Sequence, residues 1–473
     1  MKKLLSLLLI GVLLFSVPLP SAYAGIVSAT GGTITTVGSD KVHTFTTSGT
    51  FTPTGSGDVL VLVIAGGGGG GNWDGGGGGA GGLVYHASKA VTSGTGVTVT
   101  VGGGGAGGSQ YVKSYPGSDS YFGDIHAHGG GAGGSCEVDP TSLAGGSGGA
   151  NDSTGVQTST ATQDNSGGGT GYGNVGGAGA SSGGGGGGAG GAGSAASGAT
   201  PGVGGVGKHY SISGSDTGYA GGGGGGNEAG GAGGSAQDGG GAGGVPGVAG
   251  TANTGGGGGG GSNRQVGGIG GSGIVIVRYT PSAPEAPTNV AATDGTATNK
   301  VTITWTKSTG ATGYKIYEGA NLLDTLGDVA TYDDSAAPAP TITPGTTTAS
   351  DGVYSAHVTL SLAGTSANNG TSRTYKLKAI GAGGDSADSS TDTGYRGVGA
   401  LTYQWQMSAA DSDASYSNLN GATASTYNAT EAPIDGSGRY FKCVLDATGA
   451  TQQASTVDRG YRMAGGYQLI MVE

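Results

Sequence analysis

Apolar and polar positions along this chain fall into distinct regimes. Val42 to Phe45, Thr50 with Phe51, Val59 to Ile64, Val97 to Val101 and Ile274 to Val277 are β-branched or apolar runs bounded by Gly and Ser. That pattern predicts strands. From the third run to the fifth the chain is dominated by glycine tracts such as Gly66 to Gly71, Gly75 to Gly79, Gly183 to Gly188, Gly221 to Gly226 and Gly255 to Gly261. Beyond residue 287 ordinary alternation returns, as in Val301 to Trp305 and Gly313 to Tyr317.

Composition sharpens this picture. Glycine supplies 93 of the 256 residues from 25 to 280. Such tracts have no side chain to bury and lose the most backbone entropy on ordering, so each alone would stay flexible. A left-handed threefold helix of the polyproline II type makes no internal hydrogen bonds and leaves every N–H and C=O free to bond to neighbours. Glycine also lets such helices approach on several sides. The bracketing strands must close around the long insertion, which favours a bundle of polyglycine helices over a disordered low-complexity segment.

The residues that bracket the tracts also carry a resemblance. Phe45 to Phe51, Val59 to Gly71, Val101 to Gly108, Phe122 to Ala127 and Gly271 to Tyr279 resemble the glycine-rich domain of many bacterial, archaeal and phage proteins. More distantly the arrangement is similar to the glycine-rich region of the anaplastic lymphoma kinase receptor family and to some phage tail-tip adhesins. The resemblance implies a jelly-roll-like β-framework holding a polyglycine II helix bundle, with a role in extracellular recognition. It spans about residues 30 to 280.

Prolines at 281, 284 and 287 mark an extended linker over 281–287. The strands at 288–338, with Trp305, resemble a fibronectin type III domain, whose next strand is delayed to Thr374 to Ile380. The delay holds Pro340 to Pro344 and His357 to Leu362, which suit a second sandwich that resumes at Leu401 to Gln406. Trp405 and the Phe441-Lys442-Cys443 unit resemble the core of an immunoglobulin-like domain. The expected organisation is therefore interleaved: 288–338 with 371–396 fibronectin type III-like, 339–370 with 397–462 immunoglobulin-like, and 463–473 a C-terminal strand or tail. One domain with a long loop, followed by a partial domain, is the alternative. The immunoglobulin pattern wants a second Cys, and none stands on the early strand. Cys443 is therefore expected as a buried thiol, and whether it pairs with Cys136 is open.

Lys2 and Lys3, the apolar run Leu4 to Val17 and the small residues before Gly25 predict a secretory signal peptide over 1–24. No later stretch reaches membrane-spanning length. A net charge of −11 gives no footprint for nucleic acid. GxGxxG matches follow from composition alone, no Gly-Lys-Ser/Thr phosphate loop is present, and no nucleophile–base arrangement stands out. His126 and His128 share one strand face, but without a third ligand nearby no metal is expected. Asp333-Asp334 and Asp411-Asp413 fall on turns where weak Ca²⁺ binding is conceivable, so no cofactor is assigned.

What remains are the interruptions of the tracts. Asn72, Trp73 and Asp74, then Asn227 and Glu228, then Asn263, Arg264 and Gln265 follow six or seven residues of glycine or its close equivalent. At the ends of a rigid bundle they would be ligand-binding tips, or simply turns. The expected protein is mainly β, secreted or on the cell surface, and non-enzymatic, binding a cell-surface glycan or protein. The alternatives are a structural subunit that self-associates through Tyr467 to Val472, and a secreted carbohydrate-active protein.

Overall fold

The computed structural model describes residues 25–136, 139, 141–155, 157–353 and 356–463. Residues 1–24, expected as a signal peptide, and the terminal run Tyr467 to Val472 lie outside them. The described residues are all β and irregular structure, with no α-helix among them. They form two compact units, 25–283 with 382–384, and the remainder of the chain after 283.

The first unit is built on two sheets. One joins β1 (Ser28–Thr30), β4 (Gly49–Thr54), β7 (Val97–Thr100), β8 (Ser120–Phe122) and β9 (Ile125–Ala127) in that order. The other runs β10 (Thr170–Tyr172), β6 (Leu83–Val91), β5 (Gly57–Ile64), β13 (Ile274–Tyr279), β3 (Asp40–Phe45) and β2 (Thr33–Val37). Ile64 of β5 pairs with Ile274 of β13, so the sheet closes around the insertion as the bracketing runs require. Alternate residues of both sheets meet in one core, with Phe51, Val99, Phe122 and Ile125 facing Val59, Val61, Val63, Val275 and Val277. The second sheet is also covered on its other face: Leu62, Ile64, Leu83, Ile274 and Ile276 meet Ile212 and Tyr219 of the β11 (Lys208–Tyr210) and β12 (Thr217–Tyr219) hairpin. Burial on both faces explains why β5 and β13 read as continuous apolar runs instead of alternating ones.

The glycine tracts rise from these strands and bond to one another chiefly through backbone. Along 66–71 the amides of Gly66 and Gly69 donate to Ser118 and Tyr115, those of Gly67 and Gly70 to Gly271 and Gly268, and those of Gly68 and Gly71 to Gly79 and Gly76, all at 2.8–3.0 Å. Its carbonyls accept from Gly130 and Gly133, from Gly105 and Gly108, and from Gly258 and Gly261. Partners repeat every third residue, the period of a polyproline II helix, and one tract therefore touches six others in a hexagonal array. Three neighbours run antiparallel and accept its N–H groups; three run parallel and donate to its carbonyls. A Cβ built on Gly68 would overlap the Gly131 carbonyl oxygen, and one on Gly78 the Gly68 carbonyl oxygen. Only glycine fits because its neighbours' backbone occupies the space where a side chain would start.

In the second unit, sheets of Thr288–Ala292, Val301–Thr306 and Thr331–Asp334, and of Gly313–Glu318, Asn321–Leu326 and Arg373–Gly381, enclose Val301, Ile303, Trp305, Tyr314, Tyr375 and Leu377. A second sandwich takes Thr346–Ala349, Val358–Ala363 and Thr426–Ala429 on one side. Thr402–Ser408, Arg439–Asp446 and Asp458–Met463 form the other, around Leu360, Trp405, Phe441 and Cys443. Val358–Ala363 does not share a sheet with Arg373–Gly381, so the segment inserted into the first sandwich is part of the second. Trp405 is fully buried, and its indole N–H donates to the Ala424 carbonyl at 2.9 Å. Cys443 is a buried free thiol pushed up to about 11 by burial, and Cys136 is free as well.

Candidate functional site

Every tract that rises from the framework must reverse, and the reversals at 72–74, 227–230 and 262–265 meet. Gly226 donates to Gly75 and Gly75 to Gly261, which brings the three tract ends side by side. Two of the turns use left-handed backbone: φ is 51° at Trp73 and 57° at Asp74, and 45° at Asn263 and 62° at Arg264. A turn with positive φ at both central residues is normally made with Asn, Asp or Gly. Asp74 and Asn263 satisfy that preference. Trp73 and Arg264 do not, and each is held against a steric penalty of about 1–2 kcal/mol.

The two strained residues face each other. The Arg264 guanidinium lies over the Trp73 ring, 4.4 Å from its centroid, and Trp73 N–H donates to the Gln265 carbonyl at 3.2 Å. Beneath them Asp74 Oδ1 accepts from the Asn263 amide at 3.0 Å, which ties turn to turn. Burial raises the Asp74 carboxyl above its ordinary value, opposed by that amide, with Glu228 adding to the rise. Ser262 Oγ accepts from the Asn227 amide at 2.8 Å.

The sequence-predicted residues thus divide. Trp73 and Asn227 are half-buried, and Glu228, Asn263, Arg264 and Gln265 are exposed. Asn72 and Asp74 are not available to a ligand in this way: they are 1% and 6% exposed. Asn72 donates its amide to Ser135 Oγ, and Asp74 serves as the brace between turns. The Asp74 carboxylate is drawn inward because the neighbouring turn leaves the Asn263 amide to be satisfied.

Sequence reasoning missed the region beside this tip. Ser153 N–H donates to the Asp74 carbonyl, and a cavity of about 320 Å³ adjoins it, lined by Thr141, Ser142, Asn151, Thr154, Thr158 and Ser159. Asn151 Oδ1 accepts from both the amide and the hydroxyl of Ser142, and Asp152 Oδ1 accepts from the Thr154 and Gly155 amides. The lining side chains offer mostly hydroxyl and amide groups. No spacing in the sequence signals it, because its members come from two loops joined only by the bundle.

The carboxylates considered for Ca²⁺ are engaged elsewhere. Asp333 pairs with Lys300 at 2.6 Å, Asp334 with Arg373 at 2.9 Å, and Asp411 accepts from Arg459 Nε at 2.7 Å.

A framework of this order, with polyglycine tracts between β5 and β13, is matched by a protein-family model described as a glycine-rich domain, over residues 46–280. This part of the chain is a glycine-rich domain. None of the curated proteins matches the chain. Among the described residues no helix is long and apolar enough to cross a membrane. At these turns of the glycine-rich domain, Glu228, Asn263, Arg264 and Gln265 are exposed and Trp73 and Asn227 partly so.

Proposed function

We propose that the chain is an exported, non-enzymatic binding protein of a cell surface or matrix, with the glycine-rich domain as its recognition tip. The two sandwiches, read as fibronectin type III-like and immunoglobulin-like, serve as spacer. One observation carries this reading: Trp73 and Arg264 occupy left-handed positions in a region where glycine is the commonest residue and would turn the chain without strain. Strain kept at a site points to a use other than folding. An aromatic ring with a guanidinium beside it suits recognition, and the neighbouring hydroxyl-lined cavity suits a polyhydroxylated ligand, so a surface glycan is the favoured partner.

Glycan-array and cell-binding measurements on the full mature chain test this. Trp73→Ala and Arg264→Ala each lower affinity about tenfold or more, while thermal unfolding stays within a few degrees. Absence of binding by the unaltered chain, or binding indifferent to both substitutions, would overturn it.

A structural role has a separate support. Val245 with Val248, and Val266 with Ile269, are 45–58% exposed and lie three residues apart on tracts joined by Gly247 to Val266 and Gly250 to Ile269 hydrogen bonds. Residues three apart share one face of a threefold helix, so Val266 and Ile269, with Val248 on the tract bonded to theirs, form an exposed apolar patch suited to a second copy of the chain. Sedimentation of the unaltered chain and of Val248→Asp at rising concentration distinguishes the readings: a subunit self-associates and the variant does not.

A further inference from the structure

The β8–β9 hairpin gathers three ligating side chains far from the tip along the chain's path. Ser120, Phe122, Ile125 and Ala127 point into the core, so Tyr121 and His126 point outward, and His128 follows His126 on the same face. The antiparallel register pairs Ser120 with Ala127 and Tyr121 with His126, which places Asp119 across from His128. The result is a compact group. Asp119 Oδ2 and His126 Nε2 are 2.8 Å apart, the two imidazole rings are 4.0 Å apart between centroids, and one ligating atom from each of the three residues lies within 4.8 Å of the others.

The group is oriented by a second layer of contacts. Asp119 Oδ1 accepts from the Gly129 amide at 2.7 Å. Tyr121 stacks on His126 at 4.3 Å with the rings 6° apart, and its hydroxyl donates to Asp119 Oδ2 at 3.3 Å. Gln163 accepts from the His128 amide at 2.8 Å and donates to the His126 carbonyl at 3.3 Å. Such outer contacts fix ligand orientation in metal sites. Among these three side chains, solvent still reaches His126 and Asp119, which leaves a path for an ion.

We propose that Asp119, His126 and His128 bind one divalent first-row transition ion, with Zn²⁺ as the physiological class. Two imidazoles with one carboxylate suit Zn²⁺, Ni²⁺ or Cu²⁺ and not Ca²⁺, which takes six or more oxygens. Bonds of about 2.0–2.2 Å in tetrahedral geometry set ligand atoms about 3.3 Å apart. The Asp119–His126 pair therefore opens by about half an ångström, within side-chain rotation, as the ion replaces the shared proton. Three protein ligands leave a fourth position for water or for a donor from a bound partner. Because Gly129 begins the tract that follows, the ion would pin the foot of that tract to the hairpin.

Isothermal titration of Zn²⁺ into the untagged full-length chain, followed by dialysis and metal analysis, tests the proposal. One equivalent is expected, unaffected by excess Ca²⁺. His126→Gln, His128→Gln and Asp119→Asn each weaken binding about tenfold or more, and Gln163→Ala weakens it by about ten- to a hundredfold through lost orientation. Co²⁺ added to the unaltered chain gives the visible bands of a four-coordinate N/O site, a readout that does not depend on any variant folding. Failure of the unaltered chain to retain Zn²⁺, an octahedral Co²⁺ spectrum, displacement by Ca²⁺, or full binding by the folded His126→Gln and His128→Gln variants would each overturn it.

Discussion

The glycine bundle and the second sandwich solve the same problem by opposite means. Around Trp405, order comes from burying Leu360, Phe441 and Leu445 against one another, while backbone hydrogen bonds stay within the sheets. Around Gly66–Gly71 nothing apolar is buried by side chains; six neighbours satisfy that tract's backbone groups in turn. Folded backbone loses entropy in both, but the sandwich offsets that loss with apolar area, whereas the bundle uses dense hydrogen bonding and close backbone contact. The two regions should therefore fail in opposite ways. A core loses stability when atoms are removed; an array of bare backbone loses it when a single methyl is added.

The largest effect expected is from Gly78→Ala. Its methyl would overlap a main-chain carbonyl, which has no rotamer to change, so unfolding free energy should fall by more than about 4 kcal/mol, in the extreme tail for single substitutions. Amide exchange would show protection lost across 66–261 while the Trp405 sandwich stays protected. Next, Trp405→Ala should cost about 3–5 kcal/mol by denaturant unfolding of the second unit, with the bundle's exchange unchanged. If either substitution disturbed both regions equally, the contrast would collapse.

Two histidines sharpen it through pH. His43 is buried between the framework sheets, and desolvation lowers it below its ordinary 6.5, opposed by the bond from Nδ1 to the Gly31 carbonyl. The unfolded chain then binds more protons than the folded one, so His43 makes stability fall as pH drops through 6.5. His209 is exposed and bonded to Asp216 and Asp238, at 3.1 Å each, which raise it. Its contribution is present below 6.5 and is lost as pH rises through the raised value. Thermal unfolding across pH 5–8 should show a shallower acid-side loss in His43→Phe and a steeper one in His209→Gln.

Smaller still is Trp73→Gly. Relief of left-handed strain, about 1–2 kcal/mol, offsets the lost stack with Arg264, about 0.5–1 kcal/mol, so stability should rise by no more than about 1.5 kcal/mol while ligand binding goes. The smallest effect belongs to Gly103→Ala. A methyl there meets nothing within 4 Å, although the flanking Gly102 and Gly104 are blocked by backbone. Calorimetry should find the variant unchanged or up to about 1 kcal/mol more stable, since alanine narrows the unfolded ensemble. Destabilisation at Gly103 comparable with that at Gly104 would mean that glycine is needed for its flexibility and not for its size.

Much of this was legible from residues alone. β-branched runs fixed the framework strands, because burial on two faces leaves a continuous apolar signature, as at Val59 to Ile64. The alternating run at His357 to Leu362 read as a strand, and it lies in a different sheet from Arg373–Gly381. The tips at Trp73 and Arg264 showed as interruptions. Asn72 and Asp74, read as tip residues, are buried instead, because only the tertiary structure supplies the Ser135 hydroxyl that the Asn72 main-chain amide bonds and the Asn263 amide that the Asp74 carboxylate accepts from.

By itself, then, the sequence determined which segments become strands and which can become threefold helices: local sterics and apolar spacing decide both. Tertiary structure alone decided which tract bonds to which, because one glycine tract is chemically indistinguishable from another and only strand pairing at the foot sets the register. The same pairing made neighbours of Trp73 and Arg264, residues whose separation along the chain carries no trace of their contact.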